Sequence, residues 1–321
     1  MKPWSLFAAL FLSIFPAQAD TATQVQAFTD TLVAQGFERA VIDKALANRQ
    51  PNQTILNAIA RPAEAKPWYQ YRPLFVTPQR INAGIEFWRA NKATLERARQ
   101  TYQVPEQIIV AIIGVETMYG RNMGSFAAID ALYTLGFHYP RRADFFRDEL
   151  RHLFLLAREE GWAVTDPKGS YAGAMGLGQF IPSSYRHYAV DFDGDGHRDL
   201  FANSADAIGS VANYFAEHQW RYGAPVAMPV TVSADVSALL EKDLEPTQSA
   251  ALLRRSGVAV PPSITDDTQL RLLAFQQEKE MEYWIGFNNF YVISRYNRSP
   301  LYSLAVYQLA EELATQMNRS R

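Results

Sequence analysis

Apolar side chains recur at helical spacing over much of the chain. Val25, Phe28, Leu32, Val33 and Phe37 share one stripe, and Ile42, Ala45 and Leu46 continue it, so 24–60 is predicted helical. Between Pro62 and Pro78, Pro67 and Pro73 bracket Trp68-Tyr69-Gln70-Tyr71, which predicts an extended stretch. Helical spacing resumes at Pro78 and runs to about Gln100. From Pro105 the polar face disappears: Ile108, Ile109, Val110, Ile112, Ile113 and Val115 are apolar almost all round. Such a helix belongs at the centre of a bundle. Pro105 and Glu106 suit its first turn, and Gly120 suits its end.

Further helices are expected over 141–160 and 204–219, the latter with Ser204 as N-cap. After Tyr222 the period shortens. Ala227 to Val232 and Leu270 to Phe275 read as strands. Tyr283-Trp284-Ile285 and Phe290 to Ile293, separated by Asn288-Asn289, predict a β-hairpin over 281–294. Thr247 to Ser256 suggests a short helix capped by Thr247, and Ser299 to Met317 a final one.

The pattern therefore predicts a mainly α, α+β chain. Its parts are an N-terminal helical region over 20–103 with the extended segment near 62–78, a helical core over 104–222, a β-rich subdomain over 223–294, and a C-terminal helix over 295–321 that returns to the core. At 321 residues and 48% hydrophobic, the chain can bury a large core.

Composition changes the picture in two ways. Lys2, the apolar run Leu6 to Phe15 and Ala17-Gln18-Ala19 form a signal-peptide pattern over 1–19, with cleavage before Asp20 and export to the periplasm. That run is far short of the ~20 apolar residues a membrane span needs, and no integral span is expected elsewhere. There is no cysteine, which excludes disulfides, thiolate catalysis and lipid attachment through cysteine. Without Lys2 the mature charge is 30 basic against 33 acidic residues, so a nucleic-acid partner has no electrostatic basis.

Three features carry chemistry. Glu116 stands near the end of the all-apolar helix, with no cation in the preceding turn and Arg121 nearest beyond it. A carboxylate there must find a partner or accept a raised pKa, as a general acid for glycosidic cleavage does. The bland alternative is a surface glutamate at a fraying helix end. Gly173-Ala174-Met175-Gly176-Leu177-Gly178-Gln179-Phe180 places three glycines in six residues, a turn with close backbone approach that also reads as purely structural. Asp191, Asp193, Asp195 and Asp199 occupy positions one, three, five and nine of an EF-hand-like loop. Gly196 sits at position six, and His197 could offer its carbonyl. Ala202 replaces the bidentate glutamate of position twelve, and Asp206 could supply a late carboxylate. A structural Ca2+ or Na+ is expected there, and no organic cofactor. His138, His152 and His218 are scattered and read as packed or surface residues. Trp68, Tyr69, Tyr71, Tyr214, Tyr291, Tyr296 and Tyr302 could stack on sugars or serve the core.

Together these motifs resemble the lytic murein transglycosylase B family, whose fold is lysozyme-like. The resemblance rests on Ile-Gly-Val-Glu-Thr around Glu116, Ser125-Phe126, Asp130-Ala131-Leu132 and Tyr139-Pro140-Arg141-Arg142. The Ala174-to-Tyr185 run, the aspartate loop and Ser294-Arg295-Tyr296-Asn297 extend it over nearly the whole chain. It implies non-hydrolytic cleavage of the β-1,4 bond between N-acetylmuramic acid and N-acetylglucosamine, leaving 1,6-anhydromuramic ends, with Glu116 as sole acid and base. It also implies a glycan groove of Tyr71, Gln179, Phe180, Tyr214, Tyr296, Asn297 and Tyr302, with Ser170, Arg141 and Arg142 on the lactyl and peptide side. Asp191, Asp193, Asp195, His197 and Asp206 form the implied metal set, with one extra residue before Asp206 relative to the family pattern, and the loop spacing adds Asp199. The implied partners are peptidoglycan strands and their stem peptides, with cell-wall synthases as candidates. A muramidase that uses water and a catalytically silent glycan-binding scaffold are the competing readings.

Overall fold

The computed structural model describes residues 21–60 and 66–319. The expected signal peptide over 1–19 lies outside them. The chain divides into two units, 1–48 and 49–321. In the first, α1 (Thr21–Ala34) and α2 (Arg39–Leu46) bury Phe28, Leu32, Ile42 and Leu46, while Val33 of the expected stripe is exposed.

In the second unit α3 (Gln53–Ile59) is capped by Asn52, whose side chain accepts from Thr54 N and Ile55 N. The stretch expected to be extended is instead helix α4 (Trp68–Phe75). Pro67 sits at its N-cap, where no N–H is needed, and Pro73 lies inside it. Tertiary packing overrides the proline signal: Trp68 and Tyr71 fall on one buried face, and the Trp68 ring lies 5.4 Å from Phe275.

The single helix expected after Pro78 is two, α5 (Pro78–Ala90) and α6 (Lys92–Tyr102). They break at Asn91, whose side chain donates to Phe87 O and accepts from Ser204 Oγ at 2.7 Å. Helix α7 (Glu106–Thr117) is buried from Ile108 to Val115. It ends before Gly120, because Met118 already takes the left-handed conformation (φ 53°). Strand β1 (Phe126–Ala127), helices α8 (Ala128–His138) and α9 (Ala143–Glu160), strand β2 (Lys168–Gly169), and helices α10 (Pro182–Tyr188) and α11 (Ser204–Glu217) complete the helical body. The cap of α11 is Asn203, not Ser204: the Asn203 side chain accepts from Ala205 N and Asp206 N.

Strands β3 (Ala227–Val230), β4 (Gln248–Ser249), β5 (Gln269–Gln276) and β6 (Met281–Gly286) form an antiparallel sheet in the order β3-β6-β5-β4. The hairpin joins β5 to β6 through Gln277–Glu280, not 281–294 as expected. The run from Phe290 belongs to helix α13 (Asn288–Tyr296), preceded by α12 (Ala250–Arg255), whose cap is Ser249 in place of Thr247. Thr247 Oγ1 is taken by Arg271 at 2.8 Å. Helix α14 (Pro300–Arg319) then packs on α7, α4, α5 and α13, closing the core around the segment that carries Glu116.

Candidate active site

Glu116 lies in the last turn of α7. Beyond it Met118 and Tyr119 are both left-handed, with φ of 53° and 60°. Two consecutive non-glycine residues in that region cost about 1–2 kcal/mol each, so the surroundings must hold them. Met118 N donates to Gly114 O at 3.1 Å and Tyr119 N to Ile113 O at 3.3 Å, a helix-ending pair. Thr117 Oγ1 donates to Leu177 O at 2.9 Å and accepts from Gly120 N. The Tyr119 ring stacks on Phe87 at 5.5 Å, and its hydroxyl, without a hydrogen-bond partner among the described residues, fills a socket over Gly84 and Gly114. A Cβ on either glycine would collide with it. The sequence reading missed this socket. A glycine inside the helical pattern at Gly84 was the available signal.

Glu116 is partly exposed at the end of a helix whose preceding residues, Ile108 to Val115, are buried and apolar apart from Gly114. Tyr302, in the first turn of α14, donates its hydroxyl to Oε1 at 2.5 Å. Burial raises the Glu116 pKa to about 7, and the Tyr302 hydrogen bond opposes that rise. No charged neighbour contributes to the shift. Arg121, the nearest cation in sequence, faces Glu86 at 3.9 Å.

The glycine-rich turn is tied to the residue after Glu116, since Thr117 Oγ1 donates to Leu177 O. Met175 bridges to both Gly169 and Phe180, and Gly173 and Gly176 have positive φ. Gln179, itself at φ 52°, donates its amide to Met123 O and Gly176 O. Tyr296 donates to Gly178 O at 2.6 Å, and the nearby Glu116 charge adds to burial in raising its pKa. Tyr214 donates to Arg295 O at 2.6 Å, and its ring lies 4.7 Å from that of Tyr296. Phe180 packs on both rings.

The structure thus gathers Glu116, Gln179, Phe180, Tyr214, Tyr296 and Tyr302. Tyr71 joins through its electrostatic influence on Tyr302, and Asn297 is half-buried just past α13. Tyr71, Phe180 and Tyr214 are 2%, 2% and 7% exposed, so they build the floor of a groove more than they present faces to a sugar. Ser170 ties in through its N–H to Ala174 O at 2.8 Å, and its hydroxyl accepts from Ala172 N and Ala174 N. Arg141 and Arg142 stand apart, exposed on a short 3-10 helix (Pro140–Arg142). The Arg142 guanidinium lies 4.1 Å above the Phe145 ring.

In the aspartate loop, three of the six expected residues come together. Carboxylate oxygens of Asp191, Asp193 and Asp206 lie within 4.8 Å of one another. Asp206 is fully buried, accepts from Phe192 N and Asp199 N, and has its pKa raised by burial. Asp191 accepts from Gly194 N, Asp195 N and Gly196 N, which hold its pKa low. The carboxylates of Asp195 and Asp199 are outside the group, as is the ring of His197, whose expected ligand is its backbone carbonyl. Asp195 turns to His197 N, and Asp199 to Phe201 N and Ala202 N, the local bonds that loop aspartates favour. Three hard oxygen donors, one buried, fit Ca2+ better than a softer ion. Burial lowers the pKa values of His138, His152 and His218, and none joins this group.

The Transglycosylase SLT domain family matches residues 20–311. The membrane-bound lytic murein transglycosylase B of Escherichia coli (strain K12) is 41% identical over 300 residues, 90% of this chain and 82% of that protein. The soluble lytic transglycosylase SltB1 of Pseudomonas aeruginosa superimposes with a TM-score of 0.86 at 47% identity, over 92% of this chain and 99% of that one. An E. coli lytic transglycosylase solved in complex with calcium matches with a TM-score of 0.83 at 41% identity, over 91% and 93%. SltB3 of P. aeruginosa, in complex with NAG-anhNAM-pentapeptide, matches with a TM-score of 0.80 at 30% identity, over 92% and 80%.

Proposed function

The chain belongs to the transglycosylase SLT-domain family and is a lytic transglycosylase of peptidoglycan; from that premise we propose that Glu116 alone serves as acid and then base, leaving 1,6-anhydromuramic ends. The observation that carries the proposal is an isolated carboxylate with a pKa near 7 and no charged neighbour. Ordinary glycosidases need a second carboxylate for water or a covalent intermediate.

Protonated Glu116 donates its proton to the glycosidic oxygen, the C1–O bond breaks, and N-acetylglucosamine leaves as an alcohol. Positive charge then builds at C1 of the muramic residue. The carboxylate now formed takes the proton of that residue's own C6 hydroxyl while O6 bonds to C1. Glu116 ends protonated, and no water is consumed. Because the acceptor is tethered, its high effective molarity replaces the second acid. Tyr302, donating to Oε1, leaves the other oxygen to carry the proton and favours the carboxylate once formed. Gln179, Tyr296 and Asn297 edge the groove above a floor of Tyr71, Phe180 and Tyr214. Ser170, Arg141 and Arg142 are assigned to the lactyl and peptide side.

Asp191, Asp193 and Asp206 would hold a calcium ion that joins the loop to α11, as the calcium complex of a relative suggests. Its chemistry is structural charge neutralisation. The chain acts in the periplasm on strands with their stem peptides, in keeping with the pentapeptide fragment bound by SltB3. Mass spectrometry of sacculi digested by the wild type and by Glu116→Gln tests the proposal. Anhydro ends from the wild type and none from the variant are expected. Reducing ends would mean a hydrolase, and equal digestion by the variant would remove Glu116 from the chemistry.

A further inference from the structure

A cavity of about 1010 Å3 lies away from Glu116, which is not among its lining residues. It opens between the end of α11, helix α13 and the sheet subdomain, where Glu217, Arg221, Glu245 and Arg295 contribute to its walls. A second cavity of about 320 Å3 shares Arg295 and adds Lys242 and Arg298. Arginines on the helical body such as Arg186 and Arg198 are answered by carboxylates, here Glu159 and Glu160. Among the described residues no ion pair engages Arg221, Arg295, Arg298 or Lys242. Among the described residues no ion pair engages Glu217 or Glu245 either, so the cleft leaves charges of both signs for a ligand to answer.

N-acetyl sugars are neutral and call for stacking and hydrogen bonds, not for charges of both signs. The peptide stem on muramic acid carries both carboxylates and the amine of a diamino acid. The cleft offers both signs on facing elements, and its volume is at the upper end of the ~300–1,000 Å3 usual for ligand sites. Helix α13 links it to the chemistry. The backbone carbonyl of Arg295 accepts from Tyr214, and the next residue, Tyr296, feels the charge of Glu116.

We propose that this double cleft docks a peptide stem of the bound strand, separately from the exposed Arg141 and Arg142, an inference that rests on the peptidoglycan reading above. Arg295 spans both cavities and contacts the stem carboxylates, while Glu217 and Glu245 face its amine. The test compares kcat/KM on peptide-bearing glycan strands with that on strands stripped by an amidase. In Arg295→Ala and in Arg221→Ala/Arg298→Ala, the ratio of the two should fall about ten-fold, mainly through KM on the peptide-bearing strands. Arg295→Lys should recover part of the ratio. A ratio equal to that of the wild type in both alanine variants overturns the proposal. Wild-type protein that cleaves neither substrate would instead overturn the peptidoglycan reading and this inference with it.

Discussion

Replacing Glu116 by Gln should stabilise the protein, and only at neutral and alkaline pH. The folded-state pKa of about 7 stands above the ordinary 4.5, so the folded state keeps the Glu116 proton that the unfolded chain releases. Stability from this group is therefore fully present below pH 4.5 and is lost as pH rises towards 7. The gap of about 2.5 pH units, at ~1.36 kcal/mol each, is worth about 3 kcal/mol at pH 8. Solvent at the open edge of the groove trims this to about 2–3 kcal/mol. Glutamine has nearly the same shape and does not titrate, and its carbonyl still accepts from Tyr302. Every other ionisable group is common to both proteins and cancels in the difference. Thermal melts at pH 4.5 and pH 8 measure it: the variants should coincide at the lower pH. At pH 8 Glu116→Gln should melt higher by roughly 5–10 °C, since ~1 kcal/mol moves Tm by about 2–4 °C in a domain of this size. A difference independent of pH, or a wild type more stable at pH 8, would refute the reasoning that Glu116 is buried with a raised pKa.

Tyr302→Phe removes the one hydrogen bond that lowers the Glu116 pKa, so the alkaline limb of the kcat/KM profile should move up by about one pH unit. A limb that stays or moves down counts against the contact. Gly114→Ala pushes a methyl into the Tyr119 ring and should cost about 1–3 kcal/mol in urea unfolding. Tyr119→Phe should raise stability there by about 1–3 kcal/mol, because it removes a buried hydroxyl that has no partner among the described residues. Calcium at about 100 times its Kd should add ~2.7 kcal/mol to stability. Chelation should reverse the gain, and Asp206→Asn should abolish it, both read as Tm shifts. Insensitivity of Tm to calcium in the wild type would remove the metal from the loop.

Helix α7 was legible because a run apolar on all sides has only one place to go, and the carboxylate misplaced in it pointed to the site. Neighbours distant in sequence could not be read. The contact that tunes Glu116 comes from Tyr302, 186 residues later. Tyr291-Val292-Ile293 looked like a strand because β-branched and aromatic runs suit a pleated surface. The structure uses Asn289 as a tertiary anchor instead of a turn residue: its side chain exchanges hydrogen bonds with both backbone groups of Arg221 and donates to Ala224 O. That anchor starts α13 where a hairpin was expected. Trp68 likewise became helical through packing on Phe275, a partner from the sheet subdomain. The aspartate loop was legible as a spacing. Which aspartates converge depended on where α11 begins, and Asn203 sets that by accepting from Asp206 N.

Destabilising features concentrate within four residues of α7's end. Glu116 is held against its ionisation, Met118 and Tyr119 are left-handed, and the Tyr119 hydroxyl is buried without a hydrogen-bond partner among the described residues. Each costs on the order of 1–3 kcal/mol. They persist because the preceding turns of α7 are wholly buried and α14 packs across them. A less apolar helix could not carry this strain, and would also let water lower the Glu116 pKa. The residues that fold the core and those that make Glu116 an acid near pH 7 are therefore the same residues. Substitutions such as Ile113→Ala should then lose stability at every pH and move the profile down together, in contrast to Tyr302→Phe, which moves the profile up and costs stability only where Glu116 is ionised.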